Sequence, residues 1–262
     1  MPEARFPMVS MPTRPGRSTG TRASPRRRWC GLAAVLLAAA AIGGPGPAPA
    51  AAGPGRILID DFESYRGGDL PAWRIGRKMH PFGPRFIDED EYFVVREEGG
   101  RRFLRGFTRG EAIWIGLPNG EGYDWDLATH PRLRWDWRVH QLPKGAREDR
   151  KSRNDAGAAV YVIFSRDWKG RTKGIKYTYS STLPPGTLAE YGPLKVLVVA
   201  SGLGQRGAWQ SVERDVAADY RRAFGKAPPD RPVTIAVWSD SDSTKESAEV
   251  DFDNLLLLPA RD

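Results

Sequence analysis

Eight polar residues in this chain have types and neighbours that suit a binding surface. Arg134, Asp136 and Arg138 alternate with apolar residues along "LRWDWRVH". Lys176 and Tyr179 belong to "IKYTYS", Asp155 ends the charged run "REDRKSRND", and Asp240 and Asp242 open "DSDSTKES". Aromatic rings stack on pyranose faces, while charged groups bond hydroxyls or pair with a uronate. Such a mixture on a rigid sheet suits a carbohydrate ligand.

The same groups admit an enzymatic alternative. A polysaccharide lyase needs a cation against the uronate and a group that takes a proton. Arg134, Arg138, Lys176, Tyr177 and Tyr179 have the types for that work. A glycoside hydrolase needs two carboxylates across a cleft, for which Asp136 and Asp240 are candidates. Zinc and triad chemistry fail on spacing: His80, His130 and His140 are scattered, and no H-x-x-x-H or G-x-S-x-G occurs. No residue is assigned to catalysis, and a binding protein is the leading expectation. A structural envelope protein with a protein partner is the third class.

Two short motifs invite a cofactor. "GLGQRG", Gly202 to Gly207, matches G-x-G-x-x-G after a strand, but "AWQSVERD" follows it and reads as another strand. A phosphate cradle needs a helix to start there, so a glycine-rich loop and no nucleotide are expected. "DSDSTKESAEVD" spaces its oxygens like a calcium loop, yet Lys245 stands where such a loop turns on glycine.

These groups must be held by strands. Short apolar alternations recur between turn signals from Arg56 onward: "RILIDDF", "EYFVVRE", "RFLRGFT", "AIWIGL", "LRWDWRVH", "GAAVYVIF", "GIKYTYSS", "LKVLVVAS", "AWQSVER", "VTIAVWS" and "EVDFDNLLLL". In "LRWDWRVH", Leu133, Trp135, Trp137 and Val139 face one way, and Arg134, Asp136, Arg138 and His140 the other. By the same alternation Lys176, Thr178 and Ser180 oppose Tyr177 and Tyr179. "GAAVYVIF" is apolar on both faces, as a central strand should be. Only "DVAADYRRAFG" has helical spacing, with Gly225 able to end it. Many strands and one helix predict a two-sheet antiparallel β-sandwich, a jelly roll. "REDRKSRND" then lies at a loop end. Its last residue, Asp155, abuts the apolar strand and is expected to be paired, with Arg138 or Arg153 as partner. The other charges of that run are expected to be solvated.

The blocks "RNDAGAAVYVIF", "IKYTYSS", "ERDVAADYRRAFG" and "WSDSDSTKESAEVDFDNL" resemble a bacterial family of unknown function, number 3047, over roughly Ile57 to Leu257. That resemblance implies exported proteins with no assigned activity. The opening "IDDFE" and closing "VDFDNLLL" also resemble the first and last strands of carbohydrate-binding jelly rolls. This second resemblance implies a possible structural calcium between those strands, with Asp61, Glu63, Asp251 and Asp253 as its ligands and no other cofactor.

The N-terminal fifth is expected to be removed. Arg26 to Arg28, the eleven apolar residues Leu32 to Ile42 and the small-residue sites around Ala50 form an export signal over residues 1–52. Residues 53–56 then serve as a linker to the domain at 57–262. Eleven apolar residues are too few for a membrane span, which needs about 20. Residues 1–55 carry seven Arg and one Glu, and the remainder holds 33 basic against 31 acidic residues. The chain's net charge of +8 therefore sits mostly in the signal. No basic surface for nucleic acid is left. The single cysteine, Cys30, leaves with the signal, so the domain relies on its core without disulfides. A periplasmic or secreted protein without a membrane span is expected.

Overall fold

The alternation in the sequence builds two packed sheets. The structure, a computed structural model, describes residues 55–166 and 171–261. The export signal expected over residues 1–52 lies outside the described residues, as does the start of the linker. The strands are β1 (Ile57–Asp60), β2 (Arg74–Ile75), β3 (His80–Pro81), β4 (Glu91–Glu98), β5 (Arg101–Arg109), β6 (Ala112–Pro118) and β7 (Arg132–Gln141). They continue as β8 (Ala158–Arg166), β9 (Thr172–Ser180), β10 (Leu188–Tyr191), β11 (Leu194–Ser201), β12 (Gln210–Asp215), β13 (Thr234–Asp240) and β14 (Ser247–Leu258). The one α-helix among the described residues is α1 (Val216–Phe224).

One sheet has six strands in the order β12-β7-β14-β5-β4, with β1 beside the C-terminal half of β14. The other has eight, in the order β10-β11-β9-β8-β13-β6-β2-β3. Pairing is antiparallel except between β9 and β11. The fold is the expected jelly roll with one short helix. Its first and last strands pair, Ile57 opposite Leu257.

The core lies where the two inner faces meet. Leu133, Trp135, Trp137 and Val139 all point into it from β7. Trp135 packs at 5.5 Å from Tyr177 and Trp137 at 5.3 Å from Tyr179, so β7 and β9 lock the sheets together through aromatic pairs. β8 sits centrally between β9 and β13, which is why both of its faces are apolar. At α1 the Asp215 carboxylate accepts from the Ala218 N–H at 2.7 Å, and Gly225 ends the helix with φ +68°. Val216 and Tyr220 bury its apolar face, Tyr220 lying 4.6 Å from Phe164. The "GLGQRG" segment turns directly into β12, and no helix starts at its glycines. Among the described residues no helix is long and apolar enough to cross a membrane.

Candidate functional site

The outer face of the eight-stranded sheet concentrates aromatic and charged groups. Pairing places Trp114 of β6 opposite Trp238 of β13, and Tyr161 of β8 opposite Lys176 of β9. The Trp114 and Trp238 rings are nearly parallel, 17° apart with centroids at 6.0 Å, and Tyr161 stacks on Trp238 at 5.0 Å. Both tryptophans are partly exposed, whereas Tyr161 is buried. Small neighbours Ala159 and Ala236 leave the rings standing above the strands.

Lys176 lies beside this row. Its Nζ is 5.3 Å from the Tyr161 ring, 5.4 Å from the Trp238 ring and 3.7 Å from Asp240 Oδ2. Burial alone would lower the Lys176 pKa, but Tyr161, Asp240 and Glu148 hold it above its ordinary value. Burial pushes the Tyr161 phenol up to about 12 against the pull of Lys176. Asp240 rises to about 7, first through burial and then through repulsion from Asp155 and Asp242, with Lys176 opposing. The separation of 3.7 Å explains the imbalance: it exceeds hydrogen-bond length, so Lys176 offsets only part of that cost. Oδ1 of Asp240, Oε1 of Glu148, Oγ1 of Thr178 and Nε1 of Trp238 are buried without a hydrogen-bond partner among the described residues.

The charged run frames this face. Glu148 is 1% exposed, takes a 2.6 Å hydrogen bond from Ser180 Oγ and is raised in pKa by burial. This corrects the expectation that every charge before Asp155 is solvated. The backbone carbonyl of Glu148 accepts from Tyr191, and Thr182 Oγ1 donates to the Ala146 carbonyl, so the segment is tied down across the sheet. Asp155 is fully buried and is paired as expected, but its partners are different. It accepts from Ser243 N at 2.8 Å, Thr244 N at 2.7 Å and Thr244 Oγ1 at 2.5 Å. Arg138 is engaged elsewhere, and Arg153 is exposed. The carboxylate holds the β13–β14 turn through backbone donors, which no charge count in the sequence reveals.

Of the residues singled out in the sequence, Asp155, Lys176, Asp240 and Asp242 come together here. Tyr179 does not: it is 2% exposed in the inter-sheet core, on the opposite side of β9 from Lys176. Arg134, Asp136 and Arg138 lie on the outer face of the other sheet. There Asp136 accepts from Arg101 at 3.0 Å, Asn254 at 2.8 Å and Ser211. Arg138 pairs with Asp251 at 2.8 Å and with Glu98 at 2.6 Å, and its guanidinium lies 4.8 Å from the Trp209 ring. Arg134 reaches Ser211 Oγ at 3.4 Å.

The four carboxylates expected to hold calcium are satisfied differently. Asp251 takes Arg105, Arg138 and His140, and Asp253 takes Arg101 at 2.5 Å. Glu63 accepts from the Arg102 N–H, and Asp61 from the Glu63 N–H. Among the described residues, the one group of three or more metal-ligand side chains with converging atoms is Asp155, Asp240 and Asp242. Sequence reasoning overlooked Trp114, Tyr161, Trp238 and Glu148. A usable signal existed for Trp238: in "TIAVWSD" it shares the parity of Asp240, opposite Ile235 and Val237.

A family profile described as a protein of unknown function (DUF3047) matches residues 83–256, about two thirds of the chain. The chain belongs to this family. Trp114, Glu148, Asp155, Tyr161, Lys176, Trp238, Asp240 and Asp242 all fall inside the matched segment. No match was found among curated proteins. Among solved structures, the family 11 carbohydrate-binding module of the cellulosomal cellulase Lic26A-Cel5E of Clostridium thermocellum is 13% identical with a TM-score of 0.39; the match covers 80% of this chain and 97% of that one. The family 30 module of the Clostridium thermocellum cellulase Cel9D-Cel44B is 12% identical at TM-score 0.41, covering 79% and 99%. An α-L-arabinofuranosidase is 12% identical at TM-score 0.41, covering 79% of this chain and 27% of the enzyme. Likeness at this level transfers no ligand to this chain.

Proposed function

We propose that this chain is an exported, non-catalytic protein that binds a carbohydrate on the outer face of its eight-stranded sheet. The observation that carries this reading is the partly exposed pair Trp114 and Trp238, nearly parallel and flanked by Tyr161, Lys176 and Asp240. Indole faces and edges present apolar surface to the C–H groups of a sugar ring. Asp242, partly exposed at the same edge, offers an acceptor to hydroxyls, while the buried Lys176 and Asp240 set the charge beneath the rings. A lyase base works best with a pKa near the operating pH. Tyr161 at about 12 and Lys176 above its ordinary value do not meet that need, whereas Asp240 at about 7 does, which is why the turnover assay is part of the test. The near-neutral charge of residues 56–262 argues against a nucleic-acid partner. The test is a glycan array with wild type and the Trp114→Ala and Trp238→Ala variants, together with a uronate-polymer turnover assay. Retention of one glycan class by wild type, loss in both variants and no turnover are expected.

A further inference from the structure

The charged run meets the β13–β14 turn at three carboxylates. Asp155, Asp240 and Asp242 each place one oxygen within 4.8 Å of the other two. Two oxygens bound at about 2.4 Å to one ion stand at most about 4.8 Å apart. The three groups therefore converge as ligands of a single centre would. A second feature points to an occupant. Asp240 is 7% exposed, its Oδ1 has no hydrogen-bond partner among the described residues, and its nearest cation stands 3.7 Å from the other oxygen. A buried acceptor without a donor costs free energy unless something fills its lone pairs. Its acidic neighbours aggravate this cost, and with burial they drive the Asp240 carboxyl up to about 7.

We infer that Asp155, Asp240 and Asp242 bind one calcium-class divalent cation. The ligand set is all oxygen and fully carboxylate, which suits a hard ion. Zinc would draw on histidine or cysteine, and neither is in the group. Magnesium binds at about 2.0–2.1 Å in strict octahedral geometry and demands a tighter, more regular cluster. The donors to Asp155 fix its orientation without exhausting its acceptors, since each carboxylate oxygen has two lone pairs. Asp242 is partly exposed and gives the ion its entry path and room for the waters that complete its shell. The ion would join the charged run to the β13–β14 turn. This site does not depend on the sugar reading and stands even where no glycan binds.

The experiment uses the full chain stripped with a chelator and then dialysed free of it. Calcium titrated in a calorimeter should bind at one ion per chain and raise the melting temperature, whereas magnesium at the same concentration should not raise it. Terbium should bind competitively with calcium and show emission sensitised by the nearby tryptophan. Asp242→Asn, at a partly exposed position, should fold and lose at least ~10-fold in calcium affinity, the lower bound for disturbing a metal site. Asp149→Asn, in the same charged run but outside the cluster, should bind as wild type does. Absence of stoichiometric calcium binding by wild type would overturn the inference and leave a proton on Asp240 as the answer to the repulsion. Unchanged affinity in Asp242→Asn would overturn it as well.

Discussion

Asp155→Asn tests whether the charged run is anchored or merely solvated. The wild-type carboxylate takes three donors, from Ser243 N, Thr244 N and Thr244 Oγ1. Asparagine has one acceptor oxygen and puts an NH2 in the other place. If the NH2 takes the Oδ1 position it faces the Ser243 N–H; if it takes the Oδ2 position it faces the Thr244 N–H. The Thr244 hydroxyl can rotate to accept, but a backbone N–H cannot. One partly buried backbone donor is therefore left unpaired in either orientation, at up to about 1–3 kcal/mol, and the remaining bonds lose their charge assistance. The expected loss is about 2–4 kcal/mol, or roughly 4–16 °C in melting temperature for a domain of this size. Urea unfolding followed by tryptophan fluorescence, in chelator, measures it as a lower midpoint at unchanged slope. Asp149→Asn is the comparator: Asp149 is exposed and bonds only the nearby Arg147 side chain, so its midpoint should match wild type. Equal midpoints for the two variants would refute the anchoring role of Asp155.

Other outcomes follow from the opposite sheet and from backbone contacts. Asp251→Asn should cost about 1–3 kcal/mol in urea melts, because Arg105 and Arg138 lose their shared buried carboxylate and keep only Glu249 and Glu98. Burial would raise the Asp251 pKa, but His140 and Arg105 bring it below the ordinary carboxylate value. The stability it adds is therefore complete above about pH 4 and fades as pH falls through the depressed value, so the variant should show a flatter acid limb. Asp253 has the opposite sign: burial outweighs Arg101 and raises it from 3.8 to about 7. The folded state then holds more protons than the unfolded state in that window, and the Asp253 contribution should decline as pH rises through it. Melts of wild type and Asp253→Asn across that window read the decline as a narrowing difference. Gly174→Ala puts a Cβ 2.6 Å from the Val162 carbonyl oxygen of the neighbouring strand and should cost about 1–3 kcal/mol. Gly204→Ala meets nothing within 4 Å and should leave the urea midpoint unchanged.

Alternation made the sheets legible and left their assignment open. "LRWDWRVH" disclosed its core face because Leu133, Trp135, Trp137 and Val139 share one parity, and all four are buried between the sheets. The helix was legible from its ends, Asp215 and Gly225. Parity also separates Tyr179 from Lys176, and the structure places Tyr179 in the core. Parity says nothing of which sheet a strand joins, so Asp136 and Lys176 looked like parts of one surface although they lie on opposite outer faces. The partners of Asp251 and Asp253 were hidden for a different reason. Arg105 and Arg101 stand 146 and 152 residues away in the chain, and only the β5–β14 neighbourhood brings them close. Glu148 was missed because six of its neighbours in the run are charged and exposure was the natural assumption, yet Ser180 of β9 lies directly within reach.

Glycan binding by the full chain, compared between wild type and the Trp114→Ala/Trp238→Ala double variant, tests the central claim most directly. Both side chains are partly exposed but pack on Tyr161 and its neighbours, so the double variant should fold with a lowered melting temperature, and binding is compared well below it. Wild type should retain one class of polysaccharide, and the double variant should lose it. A folded double variant that binds as well as wild type, or a wild type that binds no glycan, would contradict the account.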